Sequence, residues 1–227
     1  MSARWVVVTF CVVGYLIGSL PVGFWAARWR RLGLDLRGYG SGNVGTANLY
    51  RHAGFGIALV VGPIQFCQGL VPVLLAHLVG GIGTGGLVLV GVTAIIGNGW
   101  SLFLAFDGGR GVAVSTGVIV ALGLMLLGIG LVFPAALLAC FAVGALRGHI
   151  AEGVVCGFII LPPLAVALRA DLMALGFAAF LVLILARRLE GLSGDVSNFG
   201  GMRHLVLDRV LHDRRPGRPL VGHRTDP

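Results

Sequence analysis

The sequence predicts an all-α, polytopic membrane protein, a bundle of about seven transmembrane helices with a range of about five to seven. Three observations carry this. Of 227 residues, 57% are hydrophobic and only 11% charged, against about 25% charged in an ordinary soluble domain. The mean hydropathy is +0.95. The apolar residues form long continuous runs, not alternating ten-residue segments, which selects helices over a barrel.

The runs fall at residues 5–26, 55–78, 87–106, 112–127, 131–146, 153–168 and 172–186. A helix needs about 20 residues to cross about 30 Å of hydrocarbon, so the last four are short, and two of them could form one broken helix. Gly18 and Pro21 predict a bend near the end of the first run. Glycines inside the runs, such as Gly14, Gly62, Gly123 and Gly128, suit close helix approach. The first run is followed by Arg28, Arg30 and Arg31 where a signal peptide would have its cleavage site, so it reads as a retained span.

The net charge of +8 rests on arginine alone, since the chain has no lysine. Counting arginines orients the bundle. With the N-terminus outside and seven spans, Arg28, Arg30, Arg31, Arg37, Arg51, Arg110, Arg147 and the eight arginines from Arg187 to the C-terminus lie on the cytoplasmic side. Arg4 and Arg169 lie outside, a ratio of fifteen to two. Residues 1–190 then form one transmembrane domain with cytoplasmic-face loops at 27–54 and 107–111. Residues 191–227 form a basic cytoplasmic tail, with the C-terminus inside, expected against anionic headgroups or disordered. No basic segment interleaved with aromatic residues stands out, so nucleic acid is not an expected partner. Cys11, Cys67, Cys140 and Cys156 sit singly in apolar runs and read as small hydrophobes, not as a disulfide or metal set.

The polar residues concentrate in two places. Gly38-Tyr39-Gly40-Ser41-Gly42-Asn43-Val44-Gly45-Thr46-Ala47-Asn48 is rich in glycine and small hydroxyl or amide side chains, with Arg37 before it and Arg51 after it. Such a loop lets backbone N–H groups approach a ligand, and the arginines supply charge for an anion. Asp107-Gly108-Gly109-Arg110-Gly111 is the second place. Arginine counting puts both loops on one face, so a shared phosphate site is geometrically possible. Asp107 is expected to pair with Arg110. His149 and Glu152 read as loop polar groups, and His77 as interfacial.

Three stretches together resemble the PlsY family of bacterial membrane acyltransferases. They are Gly18-Ser19-Leu20-Pro21-Val22-Gly23; Asp35-Leu36-Arg37 with Gly40-Ser41-Gly42-Asn43-Val44-Gly45 and Asn48-Leu49-Tyr50-Arg51; and Gly97-x-x-Trp100-Ser101-x-Phe103-Leu104 with Phe106-x-Gly108-Gly109-x-Gly111-Val112-Ala113. The resemblance implies transfer of an acyl group from acyl-phosphate to glycerol 3-phosphate, giving lysophosphatidic acid at the inner membrane. It implies no metal and no cofactor. Its partners would be the two phosphorylated substrates and membrane lipids. Ser41, Asn43 and Asn98 would be catalytic. Arg37, Gly42, Gly45, Thr46, Asn48, Arg51, Gly108, Gly109, Arg110 and Arg188 would bind phosphate or substrate, with Gly108, Gly109 and Arg110 forming a second cradle.

The chain also departs from the family pattern. Arg110 and Asn98 stand where lysine and histidine are usual, and Gln65 and Gln68 where Asp and Lys are usual. Of a third motif, H-x-E-N-I-x-R-L, only Arg188-Leu189 is retained. Two further readings therefore stay open: a family member that binds a phosphorylated ligand without catalysis, and a small organic-anion transporter. No internal inverted repeat is obvious, which weighs against the transporter.

Overall fold

The computed structural model describes residues 2–29, 35–125, 129–192 and 201–213. The architecture is all-helical among them. The helices are α1 (Ala3–Ser19), α2 (Val22–Trp29), α3 (Thr46–Ala53), α4 (Phe55–Leu78), α5 (Thr84–Gly99), α6 (Val112–Met125), α7 (Val132–Leu146), α8 (Ile150–Ala167), α9 (Asp171–Leu189) and α10 (Met202–Val210). Short 3-10 turns at Leu36–Gly38, Leu102–Leu104 and Ile129–Leu131 join them.

Among the described residues, five segments are long and apolar enough to cross a membrane: Ala3–Trp29, Phe55–Leu78, Thr84–Leu104, Ile150–Ala167 and Asp171–Leu189. α6 and α7 have 14 and 15 residues, which at 1.5 Å per residue is only about 21–23 Å. α6 begins two residues after Arg110 and runs antiparallel to α5, since Gly111 lies against Ile95 and Gly91 against Val118, and α7 ends at the 147–149 link. Large apolar side chains such as Leu59, Val60, Leu138, Val166, Leu175 and Val182 point outward from the bundle. That is the inverse of a soluble surface and the arrangement a lipid solvent selects.

Backbone contact between glycine-bearing faces holds the bundle. α1 packs on α5, and α4 on α6. A Cβ at Gly18 would overlap the Ala94 carbonyl oxygen, and one at Gly97 the Tyr15 carbonyl oxygen. Gly69 and Gly117 are related in the same reciprocal way to Val114 and Phe66 across the α4–α6 seam. Lipid tails are as apolar as side chains, so such close packing, not hydrophobic exclusion, drives association. α7, α8 and α9 surround the fully buried rings of Phe133, Phe158, Phe177 and Phe180. Phe177 meets Phe133 edge-on at 5.0 Å between ring centroids, a favoured aromatic geometry.

The predicted bend is present. α1 ends at Ser19, and α2 starts after Pro21. The carbonyls freed there are satisfied from other helices. Gln68 Nε2 donates to the Ile17 and Leu20 oxygens at 2.7 and 2.9 Å, and Ser101 Oγ donates to the Ser19 oxygen at 2.5 Å. Gln68 thus braces the break, as buried backbone groups in a bilayer require.

The 27–54 segment is more regular than a loop, since it contains part of α2 and all of α3. The tail is also corrected in part. Residues 201–213 carry α10, which packs on α9. The rest of the expected tail and the middle of the 27–54 segment, with Arg30 and Arg31, lie outside the described residues. The four cysteines are free thiols.

Gly97→Ala and Gly117→Ala should each lower stability by about 1–3 kcal/mol, the usual cost of overpacking. Unfolding in mixed micelles would measure this. An unchanged transition in both variants would contradict close glycine contact as the source of packing.

Candidate anion-binding site

Two loops and the end of α9 meet at one end of the bundle. The first loop is held by Asn48, which is buried. Its Oδ1 accepts from the Ser41 N–H at 3.2 Å, and its Nδ2 donates to the Tyr39 and Leu36 oxygens at 3.1 and 3.3 Å. Gly42 adopts φ +70 and donates its N–H to the Tyr39 oxygen. A positive φ of this kind suits glycine, so the tight turn depends on it. Asn43 Oδ1 accepts from Gly45 N–H at 3.0 Å. Gly45 caps α3, and Thr46 ties that helix to α4 through Gln65: its N–H and Oγ1 donate to Gln65 Oε1 at 3.3 and 2.8 Å.

Ser41 is 2% exposed, and its Oγ has no hydrogen-bond partner among the described residues. Among the described residues it shares this with the Ser19 and Ser115 hydroxyls, and of the three it alone lies in a glycine-rich loop. Its carbonyl oxygen accepts from Arg110 Nη2 at 2.9 Å. This bond joins the two loops.

The second loop lies against the end of α5. Gly108 N–H donates to the Gly99 oxygen at 3.0 Å, and Gly109 N–H to the Asn98 oxygen at 2.8 Å. Gly111 N–H donates to Asn98 Oδ1 at 3.1 Å. A cradle made by the amides of Gly108 and Gly109 is therefore not what this loop offers. Those donors are committed to α5, and the loop presents the Arg110 side chain instead. A Cβ at Gly108 would overlap the Asn98 carbonyl oxygen, and one at Gly109 would lie 2.6 Å from Asn98 Oδ1. The same position is 3.6 Å from Asn43 Oδ1, so Asn43 faces this loop.

Arg187, which sequence reasoning passed over, fastens the loop from the far side. Its Nε donates to the Gly109 oxygen at 3.2 Å, and its Nη2 to the Gly108 oxygen at 2.9 Å. Its guanidinium sits 5.4 Å from the Trp100 ring centroid. It pairs with Glu190 and, at 3.3 Å, with Asp107. Asp107 was expected beside Arg110, but the structure pairs it with Arg187, while Arg110 pairs with Asp213. The sequence signal for Arg187 is modest: a doubled arginine in the last turn of an apolar helix, with Glu190 three residues on.

The remaining predicted residues are spread more widely. Arg37 forks onto Asp35 at 2.7–3.1 Å and lies over Phe24. That pairing pushes its guanidinium above the ordinary value. Arg51 is exposed on α3. Its neighbour His52 has both ring nitrogens buried without a hydrogen-bond partner among the described residues. Burial first, and then the Arg51 charge, push its imidazole below the ordinary value, so it is neutral at pH 7. Arg188 is buried, and its Nη1 donates to the Val210 oxygen, so this contact turns toward α10. Glu152 meets His212 Nε2 at 3.5 Å. A cavity of about 480 Å³ opens at the opposite end, between α1, the 80–86 connector and Leu172, and no charged group lines it.

Replacing Arg187 by Gln should loosen the second loop. Loss of a charge-assisted bond of about 1.5–3 kcal/mol corresponds to amide exchange at Gly108, Gly109 and Gly111 faster by roughly ten- to hundredfold. Arg187→Lys should fall between. Unaltered exchange would show that Arg187 does not hold this loop.

Residues 8–191 match the family model for glycerol-3-phosphate acyltransferase. The chain is 30% identical over 220 residues to glycerol-3-phosphate acyltransferase 5 of Dehalococcoides mccartyi, covering 92% of this chain and 89% of that protein. It is 46% identical over 111 residues to glycerol-3-phosphate acyltransferase 1 of Deinococcus radiodurans, covering 49% of this chain and 54% of that one. The fold is similar to a crystal structure of PlsY (YgiH), an integral membrane glycerol 3-phosphate acyltransferase, in its glycerol 3-phosphate form. The TM-score is 0.70 at 25% identity, over 87% of this chain and 93% of that one. On sequence and fold together, this membrane-embedded helical chain belongs to the glycerol-3-phosphate acyltransferase family.

Proposed function

We propose that this chain transfers an acyl group from acyl-phosphate to the sn-1 hydroxyl of glycerol 3-phosphate, giving lysophosphatidic acid for phospholipid synthesis. The observation that carries this reading is the buried, unmatched Ser41 Oγ beside the Ser41–Arg110 bond. It sets a hydroxyl and a guanidinium at one junction of two glycine loops. Both substrates are phosphate anions, and arginine is suited to them. The relatives' names and the glycerol 3-phosphate form of the similar structure support the acceptor.

The reaction asks for positioning more than for difficult chemistry. Acyl-phosphate is a mixed anhydride. The sn-1 oxygen attacks its carbonyl carbon, a C–O ester bond forms, and the C–O bond to phosphate breaks with its electron pair leaving on phosphate. The hydroxyl proton ends on the released phosphate. Ser41 and Asn43 would donate to the reacting oxygens, and Arg110 would hold a phosphate. Thr46, Gly42 and Gly45 would shape the first loop, with Asn48 as its brace and Arg37 and Arg51 at its rim. Asn98 and Gly108–Gly109 would hold Arg110 in place. Alignment and charge stabilisation of this kind can supply a large part of a rate enhancement. α6 and α7 run between the two ends, and the arginine-bearing loops share one end. Both facts support seven crossings of a bacterial inner membrane, with the N-terminus outside and the site on the cytoplasmic face.

A second reading is binding without turnover. It is favoured by Asn98, whose Oδ1 is committed to Gly111 and whose amide cannot accept a proton. Assay of the purified protein with acyl-phosphate and radiolabelled glycerol 3-phosphate decides between them. Lysophosphatidic acid should form, and Ser41→Ala and Arg110→Ala should each cut kcat/KM roughly 100-fold, or about 2.7 kcal/mol. No product above background, with glycerol 3-phosphate still bound, would establish the second reading.

A further inference from the structure

We propose that Asp213 is a site residue, an internal carboxylate that holds the Arg110 position and sets the affinity with which a phosphate can enter. The family model's match stops at residue 191, so α10 and Asp213 lie beyond it. Asp213 is 8% exposed and forms an ion pair with Arg110, which is 6% exposed. A carboxylate and a phosphate compete for the same feature of a guanidinium, its planar fork of N–H donors.

The segment that delivers Asp213 is anchored independently of that ion pair. Arg209 is almost fully buried. Its Nη1 donates to the Glu190 oxygen at 2.5 Å and the Arg188 oxygen at 3.4 Å, and its Nη2 to the Gly191 oxygen at 3.3 Å. These carbonyls terminate α9, where a cation meets the negative end of the helix dipole. Arg188 returns the bond by donating to the Val210 oxygen. Leu205 is buried, and His212 bridges Asp208 at 3.1 Å and Glu152 of α8 at 3.5 Å. The segment leading to Asp213 is thus tied to α8 and α9, and Asp213 is carried to Arg110 at the end of that tether. The anchors do not pass through Arg110, so an incoming phosphate can displace the carboxylate while α10 stays docked. Arg110 can keep its bond to the Ser41 oxygen through this exchange, because a guanidinium carries five donors.

The inference rests on the reading of Arg110 as a phosphate ligand, and direct binding separates the two. Full-length protein, Asp213→Asn and Asp213→Glu in lipid nanodiscs would be titrated with inorganic phosphate and with glycerol 3-phosphate by calorimetry. Asp213→Asn keeps size and hydrogen bonding but removes the competing charge. It should bind both ligands about tenfold more tightly, a change of 1.4 kcal/mol, while Asp213→Glu stays near the parent. Arg209→Gln, which loosens the tether without touching Arg110, should shift affinity in the same direction as Asp213→Asn. Equal affinity in the parent and Asp213→Asn would overturn the role of Asp213 and leave the phosphate site standing. No binding by any of the proteins would remove the phosphate site itself, and this inference with it.

Discussion

The approach of α1 to α5 at Gly18 and Gly97 sets where both site loops can begin. Each glycine lies against a backbone oxygen of the other helix, leaving no room for a side chain. The helix ends are therefore held side by side. Tyr15 donates to the Trp100 oxygen at 3.0 Å, and Ser101 to the Ser19 oxygen. The chain leaves α1 toward Ser41 and leaves α5 toward Arg110 from one closely packed pair. The Ser41–Arg110 bond then closes a short span between elements separated by sixty-nine residues. Without the glycine contact, two small-residue loops would have no common origin.

On that foundation the site is built from buried arginines. Arg110, Arg187, Arg188 and Arg209 are all nearly inaccessible. An isolated buried charge costs several kcal/mol, so each must be met by acceptors. Here the acceptors are largely backbone oxygens: Ser41 for Arg110, Gly108 and Gly109 for Arg187, Val210 for Arg188, and the end of α9 for Arg209. The carboxylates Asp107, Glu190 and Asp213 add to them. The arrangement uses carbonyls that helix ends and glycine turns leave unsatisfied in any case. It couples the conformation of both loops to the position of α9 and α10.

Much of this was legible in the sequence, for identifiable reasons. The helices declared themselves because a bilayer demands long apolar runs, and 55–78 coincides with α4. The bend at Gly18–Pro21 and the gathering of arginine-bearing loops at one end followed from proline sterics and charge counting. What the sequence could not convey was the direction of donors. The glycines of 108–111 suggest a backbone cradle, yet their amides turn inward because α5 ends with unpaired carbonyls next to them. Gln65 and Gln68 looked like departures from a pattern and prove to be braces for α3 and for the break in the first span. The partner of Arg110 was misassigned because Asp107 is close in sequence, while Asp213 comes from a segment with no motif to mark it.

The use of arginine at position 110 follows from this geometry. The resemblance leads one to expect lysine there, and charge alone would make the two equivalent. They are not equivalent at a junction. An ammonium is a point charge with three donors on one atom. A guanidinium spreads five donors over three atoms, so one nitrogen can hold the Ser41 oxygen while the others face an anion. In this chain the same side chain must fasten the first loop and meet a carboxylate from beyond α9. Lysine would have to serve both from a single nitrogen atom, with no planar fork for the anion. The change at 110 and the presence of Asp213 are thus two parts of one arrangement, in which the anion can exchange while the loop stays in place.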